Sequence, residues 1–350
     1  MALNEALLPR EGAVSIPKVG RIFHGMFNIA GIPGMLASQE RKFGLNSKSY
    51  TFPSGAYSRE TDTIIDRLDA NFASWAVLNH DVFHFHFGTS LSGQELWDLR
   101  WLRRLGKKVY MHFHGCDIRD SKSVQEKYGI NMCSVCWPMA CNQNRNKARI
   151  LAARYANKVF MSTPDLLEFI PGSVHLPQAV NIGALEIEAL GRPYQPRARN
   201  STGPIKILHA PSAADLKGSA YIEAALSRLI SEGLPIEVEY MTGFTHQEVV
   251  QRMAESDLLI DQLLAGAHGV VGIEAMALGV PVINYIRPDI RHLYPSTLPI
   301  IQAEPSNIGE VVADFVKSRH THSILSTRSR AYALAVHSVE AVTARMIRHY

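Results

Sequence analysis

Gly266-Ala-His-Gly-Val-Val-Gly-Ile-Glu-Ala-Met-Ala-Leu-Gly-Val-Pro-Val-Ile283, preceded by the apolar run Leu258-Leu-Ile260, decides how this chain is read. A short buried-type strand leads through a glycine-rich loop into an apolar helical stretch over 271–278. A turn and a second apolar strand over 281–284 follow. Strand, loop, helix and strand in this order make a βαβ unit, and short, wholly apolar strands belong to a parallel sheet covered on both faces.

The same alternation extends outward. Downstream of 205, strands are expected at Ile205–His209, Ile236–Tyr240, Leu258–Ile260 and Pro281–Asn284, with helices over 218–230, 245–255 and 271–278. Upstream, strands are expected at Arg21–Phe23, Ser49–Phe52, Val82–Phe87, Lys108–Phe113 and Lys158–Met161, with amphipathic helices between them. The Pro- and Arg-containing stretch over 191–204 reads as an exposed connection. The expected organisation is therefore α/β throughout: a Rossmann-like N-terminal domain over 1–190, a linker over 191–204 and a second Rossmann-like domain over 205–327. A long helix over 328–350 carries apolar residues at Leu334, Val336, Val339, Val342 and Ile347, and needs a surface to lie on. Open parallel sheets bind ligands beyond the carboxyl ends of their strands, which predicts a site in a cleft between the two domains.

Composition agrees with two packed cores. The chain has 350 residues, 46% hydrophobic and 19% charged, with a net charge of +4; at about 150 residues per domain this suits two domains and excludes disordered and fibrous classes. Nucleic-acid binding is not implied by so small a charge. No apolar run reaches the roughly 18 to 20 residues of a membrane span. The first ten residues lack the basic and apolar regions of a secretory signal, so a cytoplasmic protein with reduced cysteines is expected.

Several residues stand out chemically. Glycines at 266, 269 and 272 allow close backbone approach, and the free amides of the following helical turn suit a phosphate. Glu274 stands among Ile273, Ala275, Met276 and Ala277 and needs a partner. Ribose hydroxyls would serve, and an exposed helix edge is the other reading. Lys217-Gly218 follows the strand at 205–209 and opens a helix, a place where a cation is disfavoured unless it is solvated or holds an anion. His84-Phe-His86 and His112-Phe-His114 each send both imidazoles to one face of a strand. Cys133-Ser-Val-Cys136 with Cys116 and Cys141 suggests either a structural zinc site or free thiols. Trp97-Asp-Leu-Arg-Trp-Leu-Arg-Arg-Leu-Gly-Lys-Lys108 is basic with interleaved aromatics, fitting a solvated helix face or a membrane surface.

The pattern Gly269-x4-Glu274-Ala-Met-Ala-x-Gly279-x-Pro281-Val282 resembles the donor-binding segment of the retaining GT-B glycosyltransferases, the group 1 family. The resemblance covers most of the chain, from about Gly20 to the terminal helix. It implies that Glu274 binds the nucleotide ribose and that the amides of Gly269 and Val270, next to His268, meet the diphosphate. Many members carry a second glutamate where this chain has Gly266. His209-Ala-Pro-Ser-Ala-Ala-Asp-Leu-Lys-Gly218 is similar to the family's phosphate-binding segment, placing Ser212 and Lys217 at the donor, although no arginine stands over 210–216. Asn28-Ile-Ala-Gly-Ile-Pro-Gly34 resembles the family's first glycine loop, with Gly31 and Gly34 facing the diphosphate. His114-Gly-Cys-Asp117-Ile-Arg119 resembles its His-Gly-x-Asp stretch, which places His114 by the transferred sugar and Asp117 and Arg119 toward the acceptor.

The resemblance thus implies GT-B architecture with the last helix crossing back to the first domain. The expected activity is transfer of a sugar from a nucleotide diphosphate sugar to a hydroxyl acceptor with retention, in polysaccharide, glycolipid or glycosylated-metabolite biosynthesis. His114, Lys217 and Glu274 would carry it, with no metal or other cofactor required. Peripheral contact with a membrane face is a further expectation. Alternatives are a nucleotide-sugar epimerase or phosphorylase of the same fold, a metal-dependent hydrolase using the strand histidines, and a non-catalytic sugar-nucleotide binder.

Overall fold

The computed structural model describes residues 16–53, 61–136, 145–196 and 203–350. The elements run β1 (Ile22–Met26), α1 (Ile32–Lys42), β2 (Ser47–Thr51), β3 (Thr63–Ile64), α2 (Ala70–Asn79), β4 (Val82–His86), α3 (Asp98–Arg104), β5 (Lys108–Phe113), α4 (Ser121–Lys127), α5 (Arg145–Tyr155), β6 (Lys158–Met161) and β7 (Val174–His175). They continue with α6 (Ile182–Leu190), β8 (Ile205–His209), α7 (Ala214–Lys217), α8 (Ser219–Ser231), β9 (Ile236–Tyr240), α9 (His246–Glu255), β10 (Leu258–Ile260), α10 (Val270–Ala277) and β11 (Val282–Asn284). The chain finishes with β12 (Ile301–Gln302), α11 (Ile308–Lys317), α12 (His322–His337) and α13 (Val339–Met346). No helix among the described residues is long and apolar enough to cross a membrane.

Two compact units result. One holds β1 to β7 with the closing segment 339–350, and the other holds β8 to β12 with 122–136, α6 and α12. In the first, seven parallel strands follow the order β3-β2-β1-β4-β5-β6-β7. The chain leaves β1 in one direction and returns to β4 on its other side, so the topological switch lies between β1 and β4. Period-two alternation sorts β4 and β5: Phe83, Phe85, Val109, Met111 and Phe113 enter one core. Val82 and Tyr110 enter the opposite one with Ile22, Phe160 and residues of α1 and α13.

In the second unit the order is β12-β11-β10-β8-β9, again parallel, and the switch lies between β8 and β10. Its helices are apolar on the sides facing the sheet. Ile222, Leu226 and Leu229 of α8 meet Val312 and Phe315 of α11 on one face, while α10 is buried on the other beside α12.

Two expectations are corrected. The long terminal helix is two helices, because Ser338 leaves helical geometry at φ −58° and ψ 142°. Val339, Val342 and Ile347 pack in the β1–β7 unit and Val336 in the β8–β12 unit, while Leu334 is exposed. The helix α6, expected at the end of the first domain, packs against α9 and α10 in the second unit. Within the 191–204 connection, residues 197–202 lie outside the described residues.

Candidate functional site

The switch of the second sheet gathers the residues its sequence singled out. The loop after β8 ends in the four-residue turn α7, whose last residue is Lys217, and Gly218 closes it at φ +77°. Lys217 therefore ends a helical turn instead of opening α8, a location where the helix dipole favours a cation. Its Nζ lies 3.0 Å from Asp261 Oδ1 and 2.5 Å from Gln262 Oε1. Asp261 follows β10 directly, and its Oδ2 accepts the Gly269 N–H at 2.8 Å, at the N-cap of α10. A protein carboxylate thus bridges the lysine and the helix start, where the sequence leads one to expect a ligand's phosphate.

This bridge accounts for two of the glycines. A Cβ on Gly269 would stand 3.0 Å from Lys217 Nζ, and one on Gly272 only 2.9 Å from Asp261 Oδ2. Gly266 has a different reason: it adopts φ +76°, and a Cβ there would come within 3.3 Å of Arg287 Cβ. The guanidinium of Arg287 stacks on Tyr128 at 3.7 Å and its Nε pairs with Asp289 at 2.7 Å. A glutamate at 266 would demand both a left-handed backbone and displacement of this side chain.

Glu274 is buried, and not at an exposed helix edge. Its Oε1 lies 2.9 Å from His246 Nε2, and His246 Nδ1 lies 2.9 Å from Glu188 Oε1. An imidazole between two carboxylates orients Glu274 from α9. Val270 begins α10, and by helix geometry its amide and that of Val271 have no intrahelical acceptor. Ser212 is exposed in the loop before α7. His268 is buried, its ring 5.3 Å from Tyr294 and 5.1 Å from His337. Sequence reasoning missed Asp261, Gln262 and His209. His209 Nδ1 donates to Ile260 O at 2.8 Å, so Nε2 accepts from Ser219 Oγ at 2.7 Å, tying β8 to β10 and α8. Burial lowers its pKa. The available signal was a polar residue at the carboxyl end of an apolar strand: His209 closes Ile205–His209, and Asp261-Gln262 follows Leu258–Ile260.

In the β1–β7 unit the loop after β1 sits at the switch. Gly31 caps α1 at φ +75°, its N–H donating to Asn28 Oδ1 at 2.9 Å, and Gly34 is buried in the first turn. The strand histidines share one face with Ser162, beyond the apolar half formed by Ile22, Val82, Tyr110 and Phe160. Here His24 joins His84, His86, His112 and His114.

Hydrogen bonds link most of this face into a chain. His24 Nε2 lies 2.9 Å from Glu40 Oε2, and His24 Nδ1 lies 3.2 Å from His86 Nε2. His86 Nδ1 lies 3.3 Å from His114 Nε2, and His114 Nδ1 lies 2.7 Å from Ser162 Oγ. Ser162 Oγ in turn lies 3.2 Å from His112 Nε2. Burial drives His84, His86 and His112 well below their ordinary pKa and His114 down to about 3, which keeps these rings neutral. Both nitrogens of His114 are thus engaged by protein groups; a sugar hydroxyl would reach Nδ1 only in place of Ser162.

Asp117 is buried and accepts the N–H groups of His114 and Gly115, at 3.0 and 2.6 Å, while burial pushes its carboxyl up to about 6. Arg119 pairs with buried Asp165 at 2.6 Å. Asp117 is thereby tied to the backbone of its own turn, and Arg119 to Asp165.

The metal readings fare unequally. Among the described residues, His84, His86 and His112 present nitrogens within 4.8 Å of one another. The rings of His84 and His86, however, are stacked 4.7 Å apart at 10°. An ion in the plane of one lies out of the plane of the other, a poor fit to in-plane imidazole lone pairs. No cysteine joins a metal-sized cluster among the described residues. Cys116, Cys133 and Cys136 form no disulfide, and Cys141 lies outside the described residues.

No protein-family model and no curated protein matches this chain. Solved structures do. Sucrose-phosphate synthase from Thermosynechococcus elongatus is 13% identical, with 93% of this chain and 97% of that one covered at a TM-score of 0.62. HepE from Anabaena, solved in complex with UDP, is 13% identical over 94% and 98% at 0.60. A putative UDP-N-acetylglucosamine 2-epimerase from Listeria monocytogenes is 14% identical over 93% and 94% at 0.54. With two parallel Rossmann-like sheets and this correspondence over nearly its whole length, the chain has the two-domain GT-B fold.

Proposed function

We propose that this protein is a glycosyltransferase that moves a sugar from a nucleotide diphosphate sugar to a hydroxyl acceptor with retention of configuration. The observation that carries the reading is the convergence of Lys217 Nζ and the start of α10 on one carboxylate, Asp261, at the switch between β8 and β10. A cation and an N-cap amide that converge on one negative group mark this corner as favourable to an anion. With the Gly269 amide held by Asp261, the diphosphate is assigned to Lys217 and the amides of Val270 and Val271. Glu274, oriented by His246, is assigned to the ribose.

The step to be eased is departure of the nucleoside diphosphate, during which negative charge grows on the β-phosphate. Lys217 and the α10 amides are fixed before the reaction, so they stabilise that charge without reorganising. This role requires no metal ion, and the reading includes none. The acceptor hydroxyl and sugar are assigned to the β1–β7 unit, to its Gly31–Gly34 loop and His114. HepE, with its UDP complex, supports a uridine nucleotide as the first donor to try.

The epimerase of the same fold supports a second reading, in which a nucleotide sugar is altered without an acceptor. Thermal-shift titration with UDP, GDP, ADP and their sugars tests binding, since a ligand specific to the folded state raises its stability. Wild type should shift and Lys217→Ala should shift less; equal shifts for both would remove the donor assignment. Product analysis with and without acceptor then separates transfer from epimerisation.

A further inference from the structure

Away from both switch points, α3 and α5 of the β1–β7 unit form a cavity of about 410 Å³ lined by Arg100, Arg103, Arg104, Arg154 and Tyr155. Arg100, Arg103 and Arg104 are spaced i, i+3 and i+4 and so share one face of α3. Among the described residues none of the four guanidinium groups ion-pairs with a carboxylate. Their polar and ring partners are Asn157 Oδ1 at 2.8 Å from Arg103, Trp101 at 4.9 Å from Arg104 and 5.9 Å from Arg100, and Tyr155 at 5.4 Å from Arg154. The neighbouring cations of α5 behave differently, since Lys147 pairs with Glu95 and Arg149 with Asp120. Four like charges are therefore held around one concavity without an internal counter-ion.

Helix dipoles explain part of this. Arg103, Arg104 and Arg154 lie in last turns, where cations are favoured. That accounts neither for Arg100 nor for the apolar side chains beside them: Trp97, Trp101 and Leu105 are 59%, 52% and 61% exposed. A small soluble anion would use the arginines and leave the two tryptophans in water. An anionic bilayer uses both, because Trp partitions to the headgroup level while arginines meet lipid phosphates.

We propose that this arginine cavity and the exposed Trp97, Trp101 and Leu105 of the same helical segment dock the protein on phosphate headgroups of an anionic phospholipid surface. Each arginine near such a surface strengthens binding about fivefold. The full chain should co-sediment with phosphatidylcholine vesicles containing phosphatidylglycerol, and not with phosphatidylcholine alone. Added salt should weaken the association.

Arg100→Gln with Arg104→Gln should weaken binding by about thirtyfold, and Trp101→Ala should also weaken it. Lys147→Gln, which removes a paired cation, should leave it nearly unchanged. Each variant is compared at an unaltered melting temperature, and Trp101→Ala serves alone if the double variant melts early. Equal binding to both vesicle types, no binding to either, or an unchanged affinity of the double variant would overturn the proposal. So would binding of inorganic pyrophosphate in the cavity without vesicle association.

Discussion

At the scale of single residues, Asp261 changes how the glycine-rich loop is understood. Its carboxylate lies under Gly269 and Gly272, so these glycines are needed by the protein itself, whatever ligand arrives. Gly272→Ala would force a methyl to within 2.9 Å of Asp261 Oδ2; a clash of this kind costs roughly 1–3 kcal/mol, read as a lower urea midpoint with an unchanged slope. An unaltered midpoint would mean that the carboxylate has room to move. For Lys217→Ala, loss of a preorganised charge stabiliser predicts a fall in kcat of about a hundredfold to a thousandfold. Near-normal turnover would remove Lys217 from the chemistry. Glu274→Ala is expected to raise the donor KM with a smaller effect on kcat, and steady-state kinetics over donor concentration separates the two.

Legibility at this scale followed contrast with the surroundings. Glu274 and Lys217 were visible because each breaks an apolar or turn-like context. Their partners were not, since His246 and Asp261 are brought to them by strand order, which local sequence does not encode.

Among elements, β5 was readable to its ends and β4 to within one residue, because period two separates phenylalanines from histidines. The two-residue strands β3, β7 and β12 are too short to carry any period and were missed. The histidine face of β4 and β5 makes a pH prediction. His84, His86, His112 and His114 have folded-state pKa values below their ordinary 6.5. Below pH 6.5 the unfolded chain therefore binds protons that the native chain does not. Their contribution is fully present above 6.5 and is lost as pH falls, by about 1.4 kcal/mol per unit for each ring. Asp117 opposes this: raised to about 6, it favours the native state as pH falls through that value, offsetting one ring of the four. The net expectation is a steep decline in the urea midpoint from pH 6.5 to 5. A flat profile across that interval would mean that the rings are not buried neutral.

For the whole molecule, the GT-B fold was legible from the succession of βαβ units and the segment around Glu274. The division of the terminal helix was not, because apolar spacing continues across Ser338 while the backbone does not. Beyond that break, Tyr350 closes the histidine face: its hydroxyl lies 3.0 Å from His84 Nδ1, and Tyr110 donates to His349 O at 2.7 Å. Ile347 is fully buried beside them. Removing residues 347–350 should destabilise the β1–β7 unit by about 2–5 kcal/mol, on the scale of deleting a buried aliphatic side chain, measured by chemical denaturation of that truncated chain. A loss under a few tenths would show that the closing segment only rests on the sheet.

The β1–β7 unit is thus discontinuous in sequence, its last helix lying beyond the whole of the β8–β12 unit. During translation the early sheet emerges and must wait, with one side unroofed, while the intervening residues are made. A nascent chain stalled before 339 would expose Ile22, Leu36, Val82 and Phe160 to chaperones or to aggregation. Completion of the first-made half is therefore deferred until the whole β8–β12 unit has been made.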